Sequence, residues 1–237
     1  MSEFRFKKFT VRQDRAALKV GTDAVLLGAA MTLPSGPGSA RLLDVGTGTG
    51  VIALMAAQRL LGKCFVTAID IDAPSVEDAR DNFAASPWSD CLEARCISLQ
   101  DFASGSALFD CIFSNPPFYD NSLRNPSERE SAARHTVNLS WREILSFASD
   151  HLRPRTGTLS LILPAEEEKA LRRSAASFGI FPFRIVRIRT VATKSERRIV
   201  AELGFSRTAT LREESLTLQE GSERSAAYSS LTEPFYL

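Results

Sequence analysis

From residue 41 onward the chain repeats one pattern: a short apolar run, then a longer stretch in which apolar positions recur every three or four residues. The runs at 41–45, 65–69, 92–97, 109–114 and 158–163 carry few polar residues, as strands covered on both faces of a parallel sheet must. Between and after them, 50–61, 75–85, 141–152 and 166–178 have helical spacing. Five strands joined in this way predict an α/β fold with a doubly wound, mostly parallel sheet. Ser75 and Asp78 stand three apart, close to a capping box, and mark the start of the second helix; the Pro87 region marks its stop. Beyond Gly179 two β-rich runs, 183–189 and 199–205, flank a polar stretch without helical spacing, which predicts an antiparallel C-terminal hairpin and brings the sheet to seven strands. Ahead of the sheet, Phe4, Phe6 and Phe9 precede a helix-like stretch at 22–31, and the turn-rich segment 34–39 separates both from the first parallel strand. We therefore divide the chain into an N-terminal appendage, 1–39, holding a strand or hairpin plus a helix, and a main domain, 40–237.

Composition narrows the class further. At 237 residues the chain suits one large domain with appendages, long enough to bury about 70–75% of its unfolded surface. Hydrophobic residues at 44% and charged residues at 24% are ordinary globular values, which excludes disordered, collagen-like and coiled-coil readings. The apolar run 24–33 falls short of the ~20 residues a membrane helix needs, and charged residues near the N-terminus replace the pattern of a signal peptide. No membrane association and a cytoplasmic location are expected. Cys64, Cys91, Cys96 and Cys111 form no Cys-x-x-Cys pair, and His135 and His151 are the only histidines, so neither a metal centre nor a disulfide framework is expected. Net charge is +1, yet residues 1–20 hold six Lys or Arg against Glu3 and Asp14, and 184–198 hold six against Glu196. Each run is either a solvated face or a local basic patch.

The first candidate chemistry lies on the turn out of the first parallel strand, where Asp44-Val-Gly-Thr-Gly-Thr-Gly places Gly46, Gly48 and Gly50. Glycines there let the backbone approach a ligand closely, and the following helix offers unpaired N–H groups. Twenty positions after Gly50, Asp70 ends the second strand, where a carboxylate can accept hydrogen bonds from both ribose hydroxyls. Two cofactor classes compete for this geometry. A dinucleotide site calls for G-x-G-x-x-G, whereas this chain has G-x-G-x-G behind Asp44, an acid that repels pyrophosphate and favours an ammonium. The spacing and charge lean to S-adenosylmethionine (SAM).

The second candidate follows the fourth strand, at the carboxyl end of the sheet: Asn115-Pro116-Pro117-Phe118. An exocyclic aromatic amine is a poor nucleophile because its lone pair is delocalised into the ring. If the Asn115 side-chain oxygen and the Pro116 carbonyl accept both amine hydrogens, the lone pair turns toward a methyl donor. Proline stiffness holds these acceptors in place, and Phe118 stacks on the base. Positioning then supplies most of the acceleration without a strong general base, and an adenine in a helix must first leave its stack.

Asp44 to Gly50 together with Asn115 to Phe118 resemble the class I SAM-dependent N-methyltransferases, whose fold is Rossmann-like. Gln13-Asp14, Lys19-Val-Gly-Thr-Asp23, Leu26-Leu-Gly-Ala29 and the C-terminal Leu231-Thr-Glu-Pro-Phe-Tyr-Leu237 are similar to the family of adenine-N6 methyltransferases acting on a valine tRNA, tRNA1(Val). This resemblance implies that Asp44, Gly46, Gly48 and Gly50 line the methionine part of SAM, that Asp70 holds its ribose and that Asp101 faces its adenine amine. It implies also that Lys19, Thr22 and Asp23 sit over the cofactor and that Asn115 to Phe118 hold the target base. Ala133-Arg134-His135, in the polar stretch 120–138, matches the family pattern of a substrate loop. Tyr119 extends the stacking surface or serves as an ordinary aromatic. Arg129, Arg134, Arg187, Arg189, Lys194, Arg197 and Arg198 are candidate phosphate contacts with the tRNA partner.

Three readings stand at this point. The first is methylation of the N6 amine of an adenosine in the anticodon loop of tRNA1(Val). The second keeps the chemistry but changes the substrate to an rRNA guanine amine or a protein glutamine amide, which the same tetrapeptide also suits. The third belongs to another class, an NAD-linked oxidoreductase or a non-catalytic RNA-binding module.

Overall fold

A computed structural model describes residues 2–36, 38–103, 105, 107–117, 139–207 and 210–237. Five parallel strands form its centre: β3 (Ala40–Val45), β4 (Cys64–Asp70), β5 (Leu92–Cys96), β6 (Cys111–Ser114) and β7 (Thr158–Pro164). The C-terminal hairpin, β8 (Phe181–Arg189) and β9 (Arg198–Gly204), joins them, with β9 antiparallel to both β7 and β8. The expected seven strands are present, and an eighth, β10 (Arg212–Thr217), adds itself parallel to β8 at the edge. The order is β10-β8-β9-β7-β6-β3-β4-β5.

Alternation along the strands explains why the sheet is covered on both sides. Leu42 of β3, Val66 and Ala68 of β4 and Phe113 of β6 point into one core cluster. Leu43 and Val45, Ile69 and Ile112 point into the other. Helices α1 (Thr22–Ala30), α2 (Val51–Arg59) and α3 (Ala73–Ala84) supply the first cluster. Helices α5 (Trp141–His151) and α6 (Glu168–Ser177) supply the second, below the one-turn α4 (Leu99–Phe102). A short C-terminal helix, α7 (Ala226–Thr232), closes the chain.

Local signals set the boundaries, and two differ from expectation. The second sheet helix starts at Asp72, whose carboxylate accepts the Ser75 N–H at 3.0 Å, so Pro74 occupies the first turn and the Ser75/Asp78 capping box is not formed. Asp78 is instead buried beneath the N-terminal segment. The fourth strand begins at Cys111, because Phe109 makes only a lone parallel bridge to Leu152. The helix from Trp141 has a complete Ser140/Glu143 capping box.

Ahead of the sheet lie a hairpin, β1 (Glu3–Arg5) and β2 (Thr10–Arg12), and then α1. Phe6, Phe9 and Val11 enter the same core cluster as α2 and β3. Lys7 donates its amide to Phe235 at 2.8 Å, and Phe6 stacks on Tyr236, so residues from both ends of the chain pack side by side. Among the described residues no helix is long and apolar enough to cross a membrane.

Candidate active site

Three adjacent strands end in one row. Val45 pairs with Ile69 across β3 and β4, and Asp44 with Phe113 across β3 and β6. Continued by one or two residues, these registers place Gly46 between Asp70 on one side and Asn115 on the other. Side-chain and backbone bonds fix the row: Gly46 and Thr47 donate their amides to Ile69 at 2.9 and 3.0 Å, and the Ser114 hydroxyl donates to the Val45 carbonyl at 2.6 Å.

The glycine turn folds as its sequence demands. Gly46, Gly48 and Gly50 have φ of 71°, 54° and 82°, the left-handed region that side chains rarely adopt. At Gly50 a Cβ would also lie 2.5 Å from the Phe83 ring, so this position excludes every larger residue. At Gly48 a Cβ would meet nothing within 4 Å among the described residues.

Two carboxylates flank this turn. Asp44 is fully buried; its Oδ2 accepts the Thr47 hydroxyl at 2.7 Å, while its Oδ1 has no close hydrogen-bond partner among the described residues. Burial pushes the Asp44 carboxyl up to about 7, the Thr47 hydrogen bond opposing the shift and the charge of Asp70 adding to it. Asp70 accepts the Gly48 amide at 2.8 Å and the Asp72 amide at 3.0 Å. Its carboxyl is also raised by burial, against the pull of these N–H groups.

Asn115 is half-buried, Pro116 buried and Pro117 exposed, directly after β6. Phe118 falls outside the described residues, as do Tyr119, Arg129, Arg134 and His135. Asp101 lies one strand further out, on α4, where it accepts the Ser98 hydroxyl at 2.7 Å. Lys19 and Thr22 are exposed on the approach to α1. Their height follows from the packing of α1 beside α2. Gly28 abuts Met55, and Arg59 donates to the Gly28 and Met31 carbonyls at 2.9 and 2.8 Å. The two helices thus run in the same direction, and counting back six residues from Gly28 and Met55 sets Thr22 level with the Thr49–Gly50 turn.

Several residues that hold the site gave little warning. Gln13, buried, accepts the Val20 amide at 2.8 Å, and Asp78 accepts the Arg15 and Ala16 amides at 2.9 and 2.8 Å. Asn82 donates to the carbonyls of Arg12 and Thr49, each at 2.9 Å, tying the appendage to the glycine turn. Thr47 belongs to the glycine motif and Ser114 directly precedes Asn115; Asp78 and Asn82 sit on a helix that also carries exposed Glu77 and Asp81, so residue type does not single them out.

The basic run also resolves. Arg187 is held by Glu168 and by Glu213 at 3.0 Å, and Arg198 by Asp23 at 2.8 Å, so neither guanidinium is a ready phosphate contact. Lys194 and Arg197 are exposed, with no ion pair among the described residues, on the turn between β8 and β9. That turn stands at the carboxyl end of the parallel strands, where Arg198 pairs with Pro164 at the end of β7.

Residues 17–163 match the family model described as the methyltransferase small domain. Over 236 residues the chain is 38% identical to the tRNA1(Val) (adenine(37)-N6)-methyltransferase of Bacteroides fragilis, covering 99% of this chain and 97% of that protein. The enzyme of the same name from Porphyromonas gingivalis is 40% identical over 242 residues, covering 98% and 94%. The chain belongs to this methyltransferase family. A solved structure of a predicted O-methyltransferase from Agrobacterium tumefaciens superposes on the methyltransferase with a TM-score of 0.63 at 20% identity, covering 90% of this chain and 96% of that one. That likeness bears on the fold.

Proposed function

We propose that this methyltransferase transfers the methyl group of SAM to the exocyclic N6 amine of an adenosine in tRNA, with adenine 37 of tRNA1(Val), the target named for its relatives, as its substrate. The observation that carries the reading is the single row of Asp70, Gly46 and Asn115 on neighbouring strands, which brings a ribose-binding acid, a cradle and an amide acceptor to one level.

The residues present fit the cofactor. A buried carboxylate oxygen without a partner at Asp44 calls for a cationic donor, and Gly48 leaves room for one to approach. Asp44, Gly46, Gly48 and Gly50 hold the methionine end, Asp70 the ribose and Asp101 the adenine, while Lys19 and Thr22 stand over the cleft. When bound, SAM supplies a methyl group activated by its sulfonium sulfur. The chain supplies position: Asn115 and the Pro116 carbonyl accept the two amine hydrogens, Pro117 stiffens the loop and Phe118 stacks on the base. Lys194, Arg197 and Arg189 supply phosphate contacts at the same end of the sheet.

The test is incubation with total cellular RNA and labelled SAM, followed by mass spectrometry of the nucleosides. N6-methyladenosine in a valine tRNA fraction is expected, and Asn115→Ala should lower turnover at least 100-fold with SAM affinity close to the parent's. Label in rRNA guanine or in protein amide would replace this substrate with another. Undiminished turnover by Asn115→Ala would overturn the assignment of the amine acceptor.

A further inference from the structure

We infer that the Asp23–Arg198 ion pair is a positioning device that holds the cofactor-side wall against the target-side half of the sheet. This inference rests on the methyltransferase reading above, and it concerns a pair of residues 175 positions apart.

Asp23 lies in the first turn of α1, whose N-cap Gly21 makes no side-chain capping bond. An acid there ordinarily serves its own helix end. Here its Oδ2 accepts Arg198 Nε at 2.8 Å, with the two side chains 29% and 33% exposed. Arg198 opens β9, paired with Pro164 of β7 on one side and Ile188 of β8 on the other. β7 in turn pairs with β6, the strand that delivers Asn115. The ion pair therefore joins the two flanks of the cleft: α1, whose start is level with the glycine turn, and the strands that lead to the amine acceptor.

The segment ahead of Asp23 is tied to α3 by the Arg15 ion pairs with Glu77, Asp78 and Asp81, on the cofactor side only. Residues 13–20 are pinned at both ends, where Gln13 accepts the Val20 amide, and in the middle, where Asp78 accepts the Arg15 and Ala16 amides. Gly21 then offers no cap and little steric restraint, its Cβ position meeting only the Lys19 carbonyl at 3.9 Å. Asp23 is where the chain beyond Gly21 is fixed. Losing the pair loosens Gly21 and Thr22, the link between the Gln13-held Val20 and α1, so that they sample positions away from the turn, which costs cofactor affinity without altering the amine acceptors. It also explains why Arg198, inside a basic run, is withheld from the RNA.

Calorimetry of SAM binding and steady-state kinetics on Asp23→Asn, Arg198→Met and the double swap Asp23→Arg/Arg198→Asp test this. Each single variant should raise the SAM Kd and KM about tenfold, with kcat at saturating SAM within about twofold. The swap should restore Kd to within about threefold of the parent, a rescue that a general packing defect would not give. The salt dependence of tRNA binding should be the same in all three. Unchanged SAM Kd in either single variant overturns the inference. So does an Arg198→Met effect confined to tRNA KM and salt slope with Asp23→Asn silent, since Arg198 is then a phosphate contact. Failure of the parent to bind SAM would instead refute the cofactor reading, so the two failures are distinguishable.

Discussion

Asp44 is a carboxylate withdrawn from water with one oxygen satisfied by Thr47 and the other left over, an arrangement that favours the neutral acid until a cation arrives. Because its folded-state value, about 7, lies above the ordinary carboxylate range, the native protein retains a proton that the unfolded chain has lost between about pH 4 and 7. Stability from this group is thus greatest at low pH and declines as pH rises through that window. Substituting Asp44→Asn should remove the dependence, so its unfolding free energy should gain on the parent's between pH 5 and 8. An ammonium ligand requires the ionised form, so parent SAM affinity should rise about tenfold per unit up to pH 7 and level off above, while that of Asp44→Asn stays flat. Isothermal titration at pH 5.5, 6.5 and 8 reads both curves. The acids and glycines of this site were legible in the sequence because each answers a local demand: positive φ at Gly46, Gly48 and Gly50, and a strand end at Asp70. Asp23 and Arg198 were legible only singly, since nothing in a linear sequence pairs residues from a helix start and a distant strand start.

At the scale of elements, Glu202 of β9 has no exposed surface and gathers three others: the Thr32 amide and hydroxyl just past α1, the Ser160 hydroxyl of β7 at 3.3 Å and Arg184 of β8 at 2.7 Å. Removing one partner of such a pair leaves a poorly hydrated charge, so Glu202→Ala should cost about 3–5 kcal/mol, read as a shift of the urea midpoint at constant slope. The parallel strands were visible in the sequence as apolar runs because both their faces are covered. The edge strand β10 was not, since Arg212, Glu213 and Glu214 interrupt any apolar run there. Its charges are matched across the sheet instead: Glu214 takes Arg184 at 2.8 Å and Glu213 takes Arg187 at 3.0 Å. The N-cap of α3 was misplaced by three residues for a related reason, as Ser75 resembles a cap but Asp72 accepts its N–H.

Across the whole molecule the formal charge of +1 conceals a division of labour. Much of the basic run 184–198 is spent internally, on Glu202, Glu214, Glu168, Glu213 and Asp23. Lys194 and Arg197 remain outward at the catalytic end. Reversing both, as Lys194→Glu/Arg197→Glu, should raise the tRNA Kd at least tenfold and lower the slope of log K against log salt by roughly two, with SAM binding unaffected. Filter binding at three salt concentrations measures it. The aromatic seam between the two ends of the chain carries a different consequence. Lys7 reaches the Phe235 carbonyl and the Glu233 side chain, partners more than two hundred residues away. Closing so long a loop is entropically slow and late. The β1–β2 hairpin is therefore a latecomer in folding, and in native-state hydrogen exchange the amides of Lys7 and Tyr236 should open together, ahead of the central strands.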